Sequence, residues 1–496
     1  MDFVQNFPFF SIVVSLFSGA VCSVLNGKAA RAINRVVLSA VMVLSAATLV
    51  FTLQTGESYT YKMGHFPAPF GNEIRAGVLE SALALFFCFI MLFSLWGGRK
   101  HIEEEVEADK LNYYYILTNM MLCSLLAIIY TNDLFTAYVF VEINTISACG
   151  LIMIRQTGRT IEAAVRYMIM SLLGSGLLLM GLCMLYDLTG HLLMENIREA
   201  VVLLHASGRY QVPLTITIGL MTVGLAIKSA LFPFHTWVPD AYGYSTASSA
   251  AILSSLVSKG YIFLLIKIIY RVIGFEVFGD SKINNILFVF GLAGMIFGSL
   301  SAIKEDDIRR MVAFSSVAQI GYIYMGIGMG TQAGMAAAVF HIFSHAATKA
   351  LLFIAGVGLT DVSGQSKRFA DLKGSAYRNK IAGAAFGAGA LSMVGVPLFS
   401  GFISKLLFSQ AAVLNHGKML PALIALAVST VLNAIYFMKT VIRIYRPMET
   451  DYEVRTFGRQ KLFAVSCICL VALNVLLGTM SQFLVDLIGK GLEMFA

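Results

Sequence analysis

Lys228, Lys259 and Lys405 each lie inside a stretch that otherwise reads as a membrane-spanning helix, and Glu142 does the same within VFVEINTISACGLIM. A charge at the bilayer midplane costs at least ~3 kcal/mol on insertion scales. Four such charges in one chain imply a hydrated or protein-lined interior and work on charge, most simply on protons. Glu142 and Lys228 are the first pair to weigh. A buried carboxylate and a buried amine both favour their neutral forms, and each restores the other's charge when they stand side by side. Such a pair has two states, and drawing the carboxylate away favours proton release from the lysine. A static buried ion pair is the plain alternative. Two further lysines with no acid in view tip the balance towards proton handling.

Lys259 follows ILSSLVS, with Ser254, Ser255 and Ser258 a helical turn or less away. A serine-lined lysine exchanges protons through trapped water. It is too far from either end of its segment to snorkel to an interface. His341 and His345 lie four apart, on one helical face, with Lys349 a further turn along. Histidine titrates near neutrality and suits a relay. Histidines at this spacing also ligate metals, but a membrane haem takes axial ligands from different helices, and His65, His101, His191, His205 and His416 fall in loops or at helix ends. No metal or other cofactor is therefore expected. His235, in PFHTW, reads as a link between Lys228 and Lys259. Glu80, Asp133, Glu162, Asp187 and Asp361 read as helix caps or solvated edges, and KEDDIRR as a cytoplasmic turn opening a helix.

The elements that must position these groups follow from composition. The chain has 496 residues, 58% hydrophobic and 13% charged, with the apolar content spread throughout. That is an integral membrane protein in a lipid bilayer. About fourteen apolar segments approach the ~20 residues needed to cross: 8–25, 36–53, 76–96, 113–130, 134–154, 164–186, 213–232, 247–270, 284–302, 311–330, 333–358, 380–413, 420–445 and 461–488. They are too long and continuous for barrel strands. The N-terminus has no basic region before its apolar run and reads as the first helix. Residues 54–75 carry turn formers and β-like pieces, suggesting an external hairpin.

The net charge of +8 invites a nucleic-acid reading, but its distribution argues against one. Loops after segments 1, 3, 5, 9, 11 and 13 hold 23 of the 36 Lys and Arg. This is the positive-inside asymmetry, and it sets both termini outside the cytoplasm. The seven cysteines fall in apolar segments without CxxC spacing and read as packing residues.

No linker divides the chain, so a single membrane domain is expected. Within it there is a faint symmetry. Segment 7 carries Lys228 and then Pro233, and segment 12 carries Pro397 and then Lys405. Paired broken helices in two halves point to an inverted repeat with a site at the midplane.

GLAIKSALFPFHTWVPDAY resembles the hallmark of the proton-translocating antiporter-like subunits of respiratory complex I, Mrp-type Na+/H+ antiporters and membrane-bound energy-converting hydrogenases. FVEIN, LVSKGYIFLL, KEDDIRRMVAFSSVAQIGY, HIFSHAATKALLFIAG and SMVGVPLFSGFISK follow the same family in order. The resemblance implies fourteen helices with two inverted five-helix repeats and discontinuous helices 7 and 12. The expected organisation is N-terminal helices 1–3 over 1–111, a first repeat over 112–272, a second over 282–446, and helix 14 over 460–496. It also implies that Glu142 and Lys228 are the helix 5–helix 7 pair, Lys259 the central lysine, His341 and His345 the relay and Lys405 the terminal lysine. Lys349, His235, Ser255 and Ser258 would support them. Two features depart from the family: Thr246-Ala247 stands in place of an Ala-Pro pair, and the chain ends without the long lateral helix of the largest complex I member. The terminal lysine and the HFPAPFGNEI run resemble the D-type member of Mrp antiporters and its hydrogenase-associated relatives.

The expected function is proton translocation along a buried Glu/Lys/His axis, without redox chemistry in this chain. Its site is the cell's inner (plasma) membrane, and its partners are other membrane subunits, including further antiporter-like ones. Sodium stays open as a coupling ion. An autonomous transporter of a small organic solute is the alternative. A purely structural scaffold leaves four desolvated charges unexplained.

Overall fold

The computed structural model describes residues 3–63, 66, 72–447, 454–455 and 460–495. Among these residues, thirteen helices are long and apolar enough to cross a membrane. The remaining sequence segment, 380–413, is a pair of shorter helices, Lys380–Val394 and Ser400–Val413. The protein is therefore an all-α polytopic membrane protein, as the composition predicts. The hairpin expected over 54–75 is present as Tyr59–Lys62 paired antiparallel with Glu73–Ala76. Most of HFPAPFGNEI, at its tip, lies outside the described residues.

The spans divide into an inner and an outer set. Ala247–Ile273 and Gln332–Asp361 are buried along their whole apolar windows, and Ile308–Gly328 and Val78–Gly97 nearly so. A helix that is apolar all round belongs inside a bundle. By contrast Gly27–Thr55, Gly158–Thr189 and Met419–Ile444 keep apolar faces outward, with Val36, Val43, Leu172, Leu173 and Val431 exposed. Lys259, His341, His345 and Lys349 thus ride on the two innermost helices.

Glycine sets the approach of the helix carrying Lys228. A Cβ on Gly174 would stand 2.7 Å from the Gly224 carbonyl oxygen, and one on Gly224 2.6 Å from that of Gly174. Only a pair of glycines lets Gly158–Thr189 and Gln211–Lys228 touch backbone to backbone.

Both expected breaks are present. Lys228 is the last residue of Gln211–Lys228; the chain then turns through Ala230, at φ +68°, and Pro233 before Val238–Tyr244. In the second half, Lys380–Val394 ends at Gly395, at φ +93°, and the chain passes Pro397 before Ser400–Val413 begins. Proline offers no N–H to continue a helix, and left-handed glycine closes one. The Thr246-Ala247 departure has a local consequence: the Thr246 side chain accepts from Ser249 N at 3.2 Å and caps the next span. That span, Ala247–Ile273, has two wide π-helical turns, at Leu253–Val257 and Ile269–Ile273.

Two acidic residues depart from the sequence reading. Asp361, expected at a solvated edge, is largely buried beside His101 at 2.7 Å, Arg455 at 3.0 Å and Lys100 at 3.1 Å. Glu80 is completely buried. Position near a helix end does not guarantee water when the end itself is covered by other elements. Asp133 and Asp307 do cap, accepting from Thr136 N and from Arg309 N and Arg310 N.

Candidate functional site

Glu142 sits mid-helix in Leu134–Met153, and Lys228 at the end of Gln211–Lys228. The structure brings them together: Lys228 Nζ lies 3.4 Å from Glu142 Oε1. Lys228 is fully buried, whereas the Glu142 side chain keeps 25% of its surface. Ser175, next to the Gly174 contact, donates to Glu142. Lys228 Nζ also donates to Thr145 Oγ1 at 2.7 Å and stands 5.5 Å over the Tyr261 ring. Thr145 lies one helical turn after Glu142, so the carboxylate and hydroxyl share one face. Tyr261 lies two residues after Lys259, and its hydroxyl donates to Asn144 Oδ1 at 3.0 Å and contacts Thr145 Oγ1 at 3.4 Å. The first pair is therefore joined to the central span by polar groups. Thr145 and Tyr261 were not singled out from sequence, although their offsets from Glu142 and Lys259 are a usable signal.

Lys259 is completely buried, and its Nζ donates to the Ser254 carbonyl at 2.5 Å, across the first π-helical turn. Its serines play unequal parts. Ser254 Oγ meets Ser316 Oγ at 3.0 Å, Ser258 Oγ meets the Tyr242 hydroxyl at 3.3 Å, and Ser255 Oγ is buried without a hydrogen bond. His235 stacks on Phe232 at 5.3 Å, and no hydrogen bond joins it to Lys228 or Lys259 among the described residues. Its expected linking position is taken by Thr145 and Tyr261.

Beyond Lys259, Lys349 Nζ donates to Ser315 and to the Val312 carbonyl at 2.9 Å. His341 and His345 stack in parallel at 5.7 Å, as their spacing of four requires. Both ring nitrogens of His345 are buried without a hydrogen bond, whereas His341 Nδ1 contacts Ser404 Oγ at 2.6 Å. Ser404 adjoins Lys405, whose Nζ donates to Val394 O at 2.5 Å and Met393 O at 3.2 Å. These are the orphan carbonyls of the helix that ends at the second break. Lys405 thus stabilises the break itself, and Pro233 and Pro397 lie within the two breaks.

The structure also contains buried charges that the sequence analysis does not single out. Lys267 and Arg271 follow Lys259 by eight and twelve residues on the same buried span, and both are buried. Arg271 pairs with Glu80 at 2.7 Å. The spacing of these basic residues, eight and then four positions along one apolar run, was the missed signal.

Chemically, the arrangement is a file of buried bases and hydroxyls spanning both helix breaks, beginning at a carboxylate. Each amine can hold or release a proton to a neighbour whose charge has changed. This is the architecture of an ion-translocating membrane subunit. The chain belongs to the family described as NADH:quinone oxidoreductase/Mrp antiporter, TM, whose profile matches residues 131–433. It is 33% identical over 409 residues to the NADH-quinone oxidoreductase subunit N of Desulforudis audaxviator, covering 82% of this chain and 79% of that protein. It is 27% identical over 451 residues to the D-type component of the Na(+)/H(+) antiporter of Alkalihalophilus pseudofirmus, covering 90% and 88%. A chain of the membrane-bound sulfane sulfur reductase, an archaeal respiratory membrane complex, has the same fold, with a TM-score of 0.89 at 23% identity over 99% of this chain and 97% of that one.

Proposed function

We propose that this chain is the proton-translocating, antiporter-like subunit of a multisubunit ion-pumping complex, either an Mrp-type antiporter or an Mrp-like module of a membrane-bound oxidoreductase. The observation that carries this reading is the succession of basic and hydroxyl groups inside the bundle from the Glu142–Lys228 pair, through Lys259, Lys349, His345 and His341, to Lys405, with its two ends, Glu142 and Lys405, half-buried. A proton is held at the Glu142–Lys228 pair, passes by Thr145 and Tyr261 to Lys259, and crosses Lys349, His345 and His341 to Lys405. Each move follows a change of neighbouring charge, because charges in a low-dielectric interior act strongly on one another. Energy comes from a partner module, by redox chemistry or an opposing ion gradient.

The two broken helices support an inverted-repeat organisation over 112–272 and 282–446. Both ends of the described chain lie on the hairpin face: Phe9 packs on Tyr61 at 5.8 Å, and Arg75 donates to Met494 O at 3.2 Å. With the positive-inside rule, that face is the one away from the cytoplasm. The partly exposed Glu142, midway along its span, supports a neighbouring membrane subunit packed laterally against that helix.

The test is ion translocation by the complete complex in sealed vesicles. Lys228→Ala and Lys405→Ala are each expected to abolish most of it while the complex still assembles. Unimpaired translocation in both overturns the reading.

A further inference from the structure

The span Ala247–Ile273 carries more charge than the axis uses. Lys267 follows Lys259 by eight residues, a rise of about 12 Å, and Arg271 follows by one more turn. Lys267 Nζ donates to Thr131 O at 2.6 Å and Ile129 O at 2.8 Å, the carbonyl end of the neighbouring helix. Arg271 meets Glu80 Oε1 at 2.7 Å and lies 4.1 Å over the Phe495 ring. Glu80 is completely buried, and neither of its oxygens has a well-aligned hydrogen-bond donor among the described residues. Its partner in the interior is the Arg271 guanidinium, an ion pair that joins two spans.

This cluster does not end in the core. Arg271 is one of the residues lining a cleft of about 720 Å³, with Arg75, Glu195, Glu199 and Phe495, on the hairpin face. Arg75 pairs with Glu195 across it at 2.5 Å. The second π-helical turn, Ile269–Ile273, lies at this point, as the first lies beside Lys259. Wide turns of this kind are frequent at functional sites. The same helix therefore has two stations built alike, one in the middle of the bundle and one beneath an open cleft.

We infer that Glu80, with Arg271 and Lys267, is a second proton station that connects the central Lys259 to the face away from the cytoplasm. Glu80 takes a proton from water in the cleft to become a neutral carboxylic acid, and returns it to water when it ionises again. Lys267 gains or loses its own proton in step with Lys259 and so biases Glu80 through the intervening charge. The groups around Glu80 are Arg271 and Lys267 from the span it pairs with, Arg75 and Tyr59 from the hairpin, Tyr130 from Leu111–Tyr130, and Glu195 acting through Arg271. The inference rests on the translocation reading above but uses residues outside that axis.

The experiment is translocation by the complete complex in vesicles, with pH varied only on the face away from the cytoplasm. Glu80→Gln is expected to lower translocation at least fivefold and to flatten its dependence on that pH. Glu80→Asp keeps a titratable group and is expected to retain translocation with a displaced pH dependence. The double variant Glu80→Gln/Arg271→Met removes both buried charges; if Glu80 only clasps the helices, it restores wild-type translocation, whereas a proton station leaves it low. Restoration in the double variant, or identical behaviour of Glu80→Gln and Glu80→Asp, overturns the inference. Lys228→Ala in the same vesicles reports on the axis separately: if it is inert, the translocation reading fails, whatever Glu80 does.

Discussion

The two helix breaks each hold one lysine, but they hold it differently. Lys228 comes before its break and faces a carboxylate, a hydroxyl and an aromatic ring. Lys405 comes after its break and faces two backbone carbonyls at the end of a helix. The carboxylate can itself take up a proton, so the first site stores charge in two groups that trade with each other. The carbonyls only stabilise an ammonium by their dipoles, so the second site has one titratable group and depends on its neighbours to change state. The nearest route to such a neighbour is Ser404, which contacts His341. On the translocation reading proposed above, the paired site holds a proton and the capped site passes it on.

Removing the acid should break this contrast most severely. Glu142→Gln turns the paired site into a lysine with no counter-charge. Leaving one partner of a buried ion pair uncompensated costs ~3–5 kcal/mol, and the partial exposure of Glu142 lowers that figure. Even about 1.4 kcal/mol is a tenfold effect, so translocation is expected to fall by at least about tenfold, read as the rate of pH change in vesicles. Lys228→Met/Glu142→Gln, which leaves no orphaned charge, should then recover stability in detergent without recovering translocation. Recovery of both would mean that the pair is a structural clasp.

The capped site is expected to respond more mildly. Ser404→Ala removes the contact between His341 and the turn before Lys405 while leaving both carbonyl contacts of Lys405 intact. One neutral hydrogen bond contributes about 1 kcal/mol, so translocation should fall by about fivefold with little change in thermal stability. A loss as large as that of Glu142→Gln would show that the second site is also a tightly coupled pair, with His341 as its other member.

These differences were only partly legible in the sequence. The spans and the breaks were, because twenty apolar residues in a row and a proline beside a buried lysine have few other solutions. The pairing of Glu142 with Lys228 was legible as an energetic need, since each charge requires the other. The links through Thr145, Tyr261, Ser315 and Ser404 were not. Hydroxyls are common in membrane helices, and which of them meet depends on how neighbouring helices are rotated, as set by Gly174 and Gly224. His235 shows the converse: a suggestive place in the sequence, yet the ring stacks on Phe232. Glu80 lies near a helix end in the sequence, but distance along the chain is not distance from water, and Lys267 and Arg271 carry no motif that singles them out. The hairpin, the C-terminal residues and a surface helix close over that end of the bundle.

Lys367 offers the gentlest test, because it is half-buried, as Lys405 is, yet stands outside the membrane spans. It lies in the loop between Asp361 and Ser375, and its Nζ donates to Gly243 O at 2.9 Å, a carbonyl contact like that of Lys405. Burial, reinforced by the Arg309 guanidinium, pushes its ammonium down from 10.5 to about 7. The sign of the pH effect follows. Below pH 7 the folded and unfolded chains both hold the proton, and the cost of burying it is constant. Between about 7 and 10.5 the unfolded chain binds more protons, so stability rises with pH across that window. Lys367→Met should remove this slope and raise the thermal midpoint near neutral pH by about 2 °C, measured in detergent from pH 6.5 upwards. Translocation should stay within about twofold of wild type, because a buried amine matters to the ion only where its neighbours can take the proton from it. If Lys367→Met instead halts translocation, the loop amine belongs to the path, and the contrast between the two breaks must be redrawn to include a cytoplasmic station.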